Sequence, residues 1–147
     1  MTTLRKMTGT LVGAVVATGA FAMATPAAEA AAAPCDAAAK ACLQLHTHRA
    51  WLMNRGAVAY GPVPVTVGRP GHVTPQGRFS VLYKDLHHYS TEYNGPMPYS
   101  VFFTRTGVAF HEGSLSVPSH GCVHLSHDAA VTFFQKLRPG DTVEVVN

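Results

Sequence analysis

Phe110-His111-Glu112-Gly113-Ser114-Leu115-Ser116-Val117-Pro118-Ser119-His120-Gly121-Cys122-Val123-His124-Leu125 is the stretch on which the reading of this chain turns. It places an imidazole, His111, at the end of an apolar run and a thiol, Cys122, directly behind a glycine. Nucleophilic cysteine chemistry needs a thiolate, a base to take its proton, and donors for the oxyanion that forms. Gly121 lets the backbone turn sharply and lets a substrate approach without a Cβ in the way. His111 can receive the thiol proton and bring the Cys122 pKa down toward neutrality. Backbone amides around Gly121 and Cys122 are the natural oxyanion donors. Each feature is weak alone; together they describe a reactive site.

Downstream, one helix is legible. Ser126 is an N-cap, and Asp128 sits in the first turn, where the helix dipole favours negative charge. Ala130, Phe133, Phe134 and Leu137 fall at i, i+3, i+4 and i+7, one apolar stripe to lay on a sheet. Pro139-Gly140 stops the helix, and Thr142 to Val146 closes the chain as a strand. Upstream, short apolar or alternating runs are separated by Gly and Pro, the punctuation of β-structure. Ala50 to Met53 and Ala57 to Tyr60 flank a hairpin turn at Asn54-Arg55-Gly56. Val63 to Val67 reads as a further strand, with Pro64 favouring an edge. Gly68 to Gly77 reads as a loop. Phe79 to Tyr83, Tyr99 to Phe103 and Val108 to Phe110 read as strands. The polar run Asp85 to Pro98 reads as a functional loop or lid. The expected fold is mostly β with one helix packed on a sheet.

The first 33 residues read differently. Arg5 and Lys6 precede an apolar or small run from Leu11 to Ala24, followed by Ala28-Glu29-Ala30. A positive start, an apolar core and a small-x-small site make a signal peptide at 1–33, and hence an exported, cell-wall or extracellular protein. An uncleaved anchor is the alternative; the run is short for a spanning helix, which needs about 20 apolar residues. No stable membrane span is expected after cleavage. The chain has 11 Lys and Arg against 8 Asp and Glu, a formal charge of +3, with the basic residues scattered. A clustered stripe would mark a nucleic-acid binder; none is present, and nucleic acid is not an expected partner. Three cysteines remain to place in an oxidising compartment. Cys35 and Cys42 are close enough to pair, leaving Cys122 free.

The block Ser119-His120-Gly121-Cys122-Val123 resembles the active-site signature of YkuD-type L,D-transpeptidases, with an upstream histidine at His111. Thr74-Pro75-Gln76-Gly77-Arg78-Phe79 is similar to that family's Thr-Pro-x-Gly-x-Phe segment. Met97-Pro98-Tyr99, Gly107-Val108-Ala109-Phe110-His111 and Gly140-Asp141-Thr142-Val143 resemble three further segments of it. The resemblance spans Ala57 to Val146. It implies a mixed β-sandwich or barrel-like catalytic domain at 57–147; the segment 34–56 before it carries the Cys35–Cys42 disulfide expected from their spacing. It implies peptidoglycan cross-linking without a cofactor or metal. Cys122 attacks a donor tetrapeptide stem, D-alanine leaves, and the amine of an acceptor stem resolves the thioester. His111 serves as base and acid, and carbapenems are expected to acylate Cys122. The carbonyl of Glu112 would orient the imidazole. Two departures stand out: His124 occupies a position where the family often has Arg or Asn, and the His111–Cys122 interval is short.

Other readings stay open at this level. A hydrolase (an L,D-carboxypeptidase) could use the same site, with water resolving the thioester. His111, His120, Cys122, His124 and His127 could instead ligate a metal, although they lack paired-ligand spacing. A non-catalytic wall-binding domain is a third reading. Among single residues, His120 reads as a direct participant or a positioning residue, and Ser119 as a local hydrogen-bonding residue. His124 orders the site or is simply exposed. Tyr93 and Tyr99 line a substrate groove or belong to core and rim.

Overall fold

A computed structural model describes residues 32–147. The expected signal peptide falls outside the described residues but for Ala32 and Ala33. The chain forms β1 (Ala41–Gln44), β2 (Arg49–Asn54), β3 (Ala57–Pro64), β4 (Gly77–Ser80), β5 (Tyr83–Ser90), β6 (Gly95–Phe102), β7 (Ala109–Glu112), β8 (Val123–Leu125), α1 (His127–Lys136) and β9 (Thr142–Val146). Two mixed sheets result. One has the order β3-β2-β1-β9-β4, with β1 and β9 parallel; the other has β5-β6-β7-β8, with β7 and β8 parallel. The fold is mostly β with a single helix among the described residues, as the sequence indicates.

Side-chain alternation decides which face each strand buries. Leu43, Ala50, Leu52, Val143 and Val145 of the first sheet meet Val101, Phe110, Val123 and Leu125 of the second in one core. The helix lays Ala130, Phe133 and Leu137 into that core, with Phe134 at its margin. Phe133 sits 5.1 Å from the Phe110 ring centroid and 6.3 Å from that of Tyr60. Burying one such ring stabilises by about 1.5–3 kcal/mol. Cys42, Trp51 and Met53 alternate onto the other face of the first sheet. The segment around Ala33 and Cys35 covers them, fastened by the Cys35–Cys42 disulfide. Segment 34–56 therefore contributes two strands to the same sheet as the rest of the domain.

Helix α1 has the expected ends. Ser126 accepts a hydrogen bond from the Ala129 amide, and the Leu137 amide closes on Phe133 O before Pro139. The β2–β3 hairpin turns on Arg55 and Gly56, both at positive φ (49° and 81°), with Asn54 opposite Ala57. Such a two-residue turn matches the right-handed twist of its strands.

Three expectations are corrected. Val63 to Val67 is not a separate strand: β3 continues to Pro64 on the sheet edge, and only Thr66 bridges onward, to His124. Phe79 to Tyr83 is divided between the two sheets, because Val81 exchanges backbone hydrogen bonds with Gly140 and Asp141 while Leu82 turns to Phe102. Asp85 to Pro98 is no loop but the β5–β6 hairpin, whose polarity reflects β5's place at the sheet edge. Pro96 and Pro98 are tolerated because β6 pairs with β7 only at Val101 and Phe102, leaving its other edge open nearby.

Candidate active site

The parallel pairing of β7 with β8 builds the site. Phe110 lies opposite Val123 and His111 opposite His124. Phe110, Val123 and Leu125 face the core, so alternation sends Ala109, His111, Cys122 and His124 to the other face. Cys122, one residue before β8, thus shares a surface with His111. The His111 and His124 rings meet edge to face at 4.9 Å.

His111 is buried, 5% exposed. Its Nδ1 lies 2.7 Å from the Glu112 carbonyl. A carbonyl can only accept, so Nδ1 carries the hydrogen and Nε2 keeps the basic lone pair. Burial, reinforced by the neighbouring His124 and His88, pushes the His111 pKa down to about 4. The ring is therefore neutral at pH 7. The Glu112 side chain turns elsewhere: its carboxylate lies 2.9 Å from His127 Nδ1, tying the end of β7 to the start of α1.

Cys122 is the free thiol, partly buried against Met97, Phe102 and Ala109. Its Sγ donates to the Gly107 carbonyl at 3.7 Å, and among the described residues it makes no hydrogen bond to His111. Burial raises the thiol pKa, opposed by the Ala109 amide. This differs from the expectation of a thiol brought toward neutrality by His111. The physical reason is packing: apolar neighbours disfavour the anion, and the resting thiol points at a carbonyl.

The Ser119-His120-Gly121-Cys122 turn is held from two sides. Ser119 donates from Oγ to the Cys122 carbonyl and accepts the Gly121 amide at 3.0 Å. The Gly121 amide is thereby committed, which corrects its expected use as an open oxyanion donor. Gly121 itself has φ 123°, a conformation that L side chains rarely adopt. From the other side, Thr74 donates to the Gly121 carbonyl at 2.8 Å and accepts the Gly68 amide at 3.0 Å. A Cβ on Gly68 would lie 2.0 Å from His72 O and 3.0 Å from Gly121 Cα. Thr74 and Gly68 are positioning residues that sequence reading did not assign. The Thr-Pro-x-Gly-x-Phe segment was the available signal, without a role attached.

Two cavities, about 310 and 250 Å³, converge on the thiol. Ser90, Tyr93, Met97, His120 and Cys122 line both; His111 and His124 open on the smaller. The tip of the β5–β6 hairpin divides them, with Tyr93 stacked on His120 at 4.2 Å and His120 edge-on to His72 at 5.1 Å. Tyr93 and His120 therefore lie in the groove. Tyr99 does not: at φ 57° its ring turns to Phe134 and His127, which corrects its reading as a groove residue. The histidines do not assemble a metal centre either. His124 Nδ1 bonds the Ser114 carbonyl at 2.9 Å and His127 holds Glu112, while no group of three potential ligands converges among the described residues.

Comparison with known proteins gives a consistent picture. L,D-transpeptidase 1 of Mycobacterium tuberculosis is 29% identical over 125 residues, covering 72% of this chain and 49% of that protein. The chain thus spans about half the length of the curated relatives it matches. Among solved structures, the L,D-transpeptidase of Stackebrandtia nassauensis superimposes with a TM-score of 0.69 at 28% identity, covering 73% of this chain and 54% of that one. LD transpeptidase LdtMt1 in complex with imipenem gives 0.64 at 29%, covering 70% and 56%. An L,D-transpeptidase from Mycobacterium smegmatis gives 0.65 at 26%, covering 71% and 56%. Residues 39–145 match the model of the L,D-transpeptidase catalytic domain, and the chain belongs to this YkuD family.

Proposed function

We propose that this protein is an exported peptidoglycan L,D-transpeptidase, with Cys122 as nucleophile and His111 as general base and acid. The observation that carries the reading is a free thiol at the junction of two cavities, one of which also exposes a neutral imidazole. Two openings suit a reaction with two stem peptides, a donor and an acceptor. At rest both groups are neutral, because burial raises the thiol and lowers the histidine. Proton transfer then accompanies attack rather than preceding it.

In the first half-reaction, Cys122 Sγ leaves the Gly107 carbonyl and bonds the donor amide carbonyl carbon as His111 Nε2 takes the thiol proton. The developing oxyanion is assigned to backbone amides beside Cys122 other than that of Gly121, which is committed to Ser119 Oγ. The C–N bond then breaks, His111 returns the proton to the departing amine, and D-alanine leaves a thioester. In the second, His111 takes a proton from the acceptor amine as it attacks, the C–S bond breaks with the electron pair going to sulfur, and His111 returns the proton to Sγ to restore the thiol. Ser119, Thr74 and the Glu112 carbonyl hold the parts in place. Imipenem, bound by LdtMt1, would acylate the same sulfur.

Intact mass spectrometry after incubation with a tetrapeptide donor or imipenem tests this. The expected result is one covalent adduct, absent in Cys122→Ala and formed about 10²–10⁴-fold more slowly in His111→Asn. Adduct formation in Cys122→Ala would refute the assignment. Trimmed stems without cross-linked dimer would assign hydrolysis in place of transfer.

A further inference from the structure

A third cavity, about 410 Å³, lies at the other end of α1 and takes no part in the chemistry above. Its lining is mixed: Asn54, Ala59 and Tyr60 are exposed or partly exposed there, while Leu52, Met53 and Leu137 beneath them are at most 5% exposed. Lys40, Lys136 and Arg138 reach it from three separate places, the residue before β1, the last turn of α1, and the residue beyond its cap. Among the described residues none of the three cations is in an ion pair. The one carboxylate in the lining, Asp141, accepts the Arg138 amide at 2.8 Å and offsets only part of this charge. A concavity with some apolar surface and a few charged groups around it is a form that small-ligand sites take.

We infer that this cleft is a second binding site, which takes a carboxylate-bearing stem peptide of the same wall polymer. The inference rests on the peptidoglycan reading for the identity of the polymer. The match is chemical: such a stem has free carboxylates for the cations and short aliphatic segments for the surface that Ala59 and Tyr60 offer. Position supports it. His127, which holds Glu112 at the end of β7, begins α1 and Lys136 ends it, so the two sites lie toward opposite ends of a ten-residue helix about 15 Å long. Polymer held at one site raises the effective concentration of its neighbouring stems at the other.

The test is retention of the Cys122→Ala protein on purified insoluble peptidoglycan as a function of salt. Retention is expected at low ionic strength, with release as screening shortens the Debye length to roughly 3 Å near 1 M. Lys40→Gln, Lys136→Gln and Arg138→Gln combined should weaken retention about tenfold or more. The single exposed Lys136→Glu should act in the same direction. In the Cys122-containing background, the triple variant should react with imipenem at the unchanged rate, since none of its positions meets the reacting atoms. Glycan stripped of its stem peptides should not retain the protein. Equal retention of the triple variant, or equal retention on bare glycan, would overturn the inference. Charge-dependent retention without any Cys122 adduct in the parent protein would leave this site standing and sink the catalytic reading instead.

Discussion

Replacing His111 with asparagine should remove a large part of the acid sensitivity of this fold. In the native state burial holds the His111 pKa near 4, whereas an exposed histidine titrates near 6.5. Between those values the unfolded chain binds a proton that the native chain refuses, so acid favours unfolding. Stability is full above about 6.5, falls as the pH drops toward 4, and levels off below. A separation of 2.5 pKa units corresponds to roughly 3 kcal/mol, a considerable share of the 5–15 kcal/mol typical of a domain. In a domain of this size that amounts to a fall in Tm on the order of 10 °C. Asparagine can keep a donor toward the Glu112 carbonyl but cannot titrate. Urea unfolding at intervals from pH 4 to 7.5, on wild type and His111→Asn, reads the difference. Three other groups contribute but cancel in that comparison; one is His120, lowered chiefly by desolvation, which acts in the same direction as His111. The Asp36 carboxyl, lowered by the Ala38 amide and Arg78, also loses stabilisation in acid. His127, raised by its hydrogen bond to Glu112, works the other way, stabilising at low pH and losing that contribution as the pH rises through its raised pKa. Parallel pH curves for the two proteins would refute the buried, neutral histidine on which the proposed proton transfer depends.

Ser119→Ala removes a donor to the Cys122 carbonyl and strands the Gly121 amide; the expected loss is about 1–3 kcal/mol by denaturant titration, with slower Cys122 acylation. Gly68→Ala drives a Cβ to 2.0 Å from His72 O, a backbone atom that cannot step aside; soluble yield and imipenem labelling should both collapse, whereas Gly71→Ala, where a Cβ meets nothing within 4 Å, should lose only what its positive φ of 82° costs, about 1–2 kcal/mol. Removing the disulfide as Cys35→Ala with Cys42→Ala releases a loop of sequence separation 7 and should lower stability by about 2 kcal/mol. Imipenem acylation at 25 °C should be unchanged, since the bridge lies on the face of the first sheet away from the site.

Local signals in the sequence determined a good deal. The Ser126 cap, the 3.6-period stripe through Phe133 and the Pro139-Gly140 stop defined α1, because helix ends and faces follow from residues a few positions apart. Positive φ at Arg55 and Gly56 follows from the same short range. The Ser-His-Gly-Cys block with His111 upstream pointed to the family, because those residue types in that order are rarely combined for packing alone. Sequence could not say where the strands would pair. Tertiary structure alone sent Phe79 and Tyr83 to different sheets, made a hairpin of the polar run 85–98, and turned Tyr99 toward the helix. It also recruited Thr74, 47 residues from Gly121, to hold the turn before Cys122. The protonation states belong to that level too. A thiol raised and an imidazole lowered are consequences of burial by Met97, Phe102 and their neighbours, and burial is a property of the assembled sheets that no stretch of sequence carries by itself.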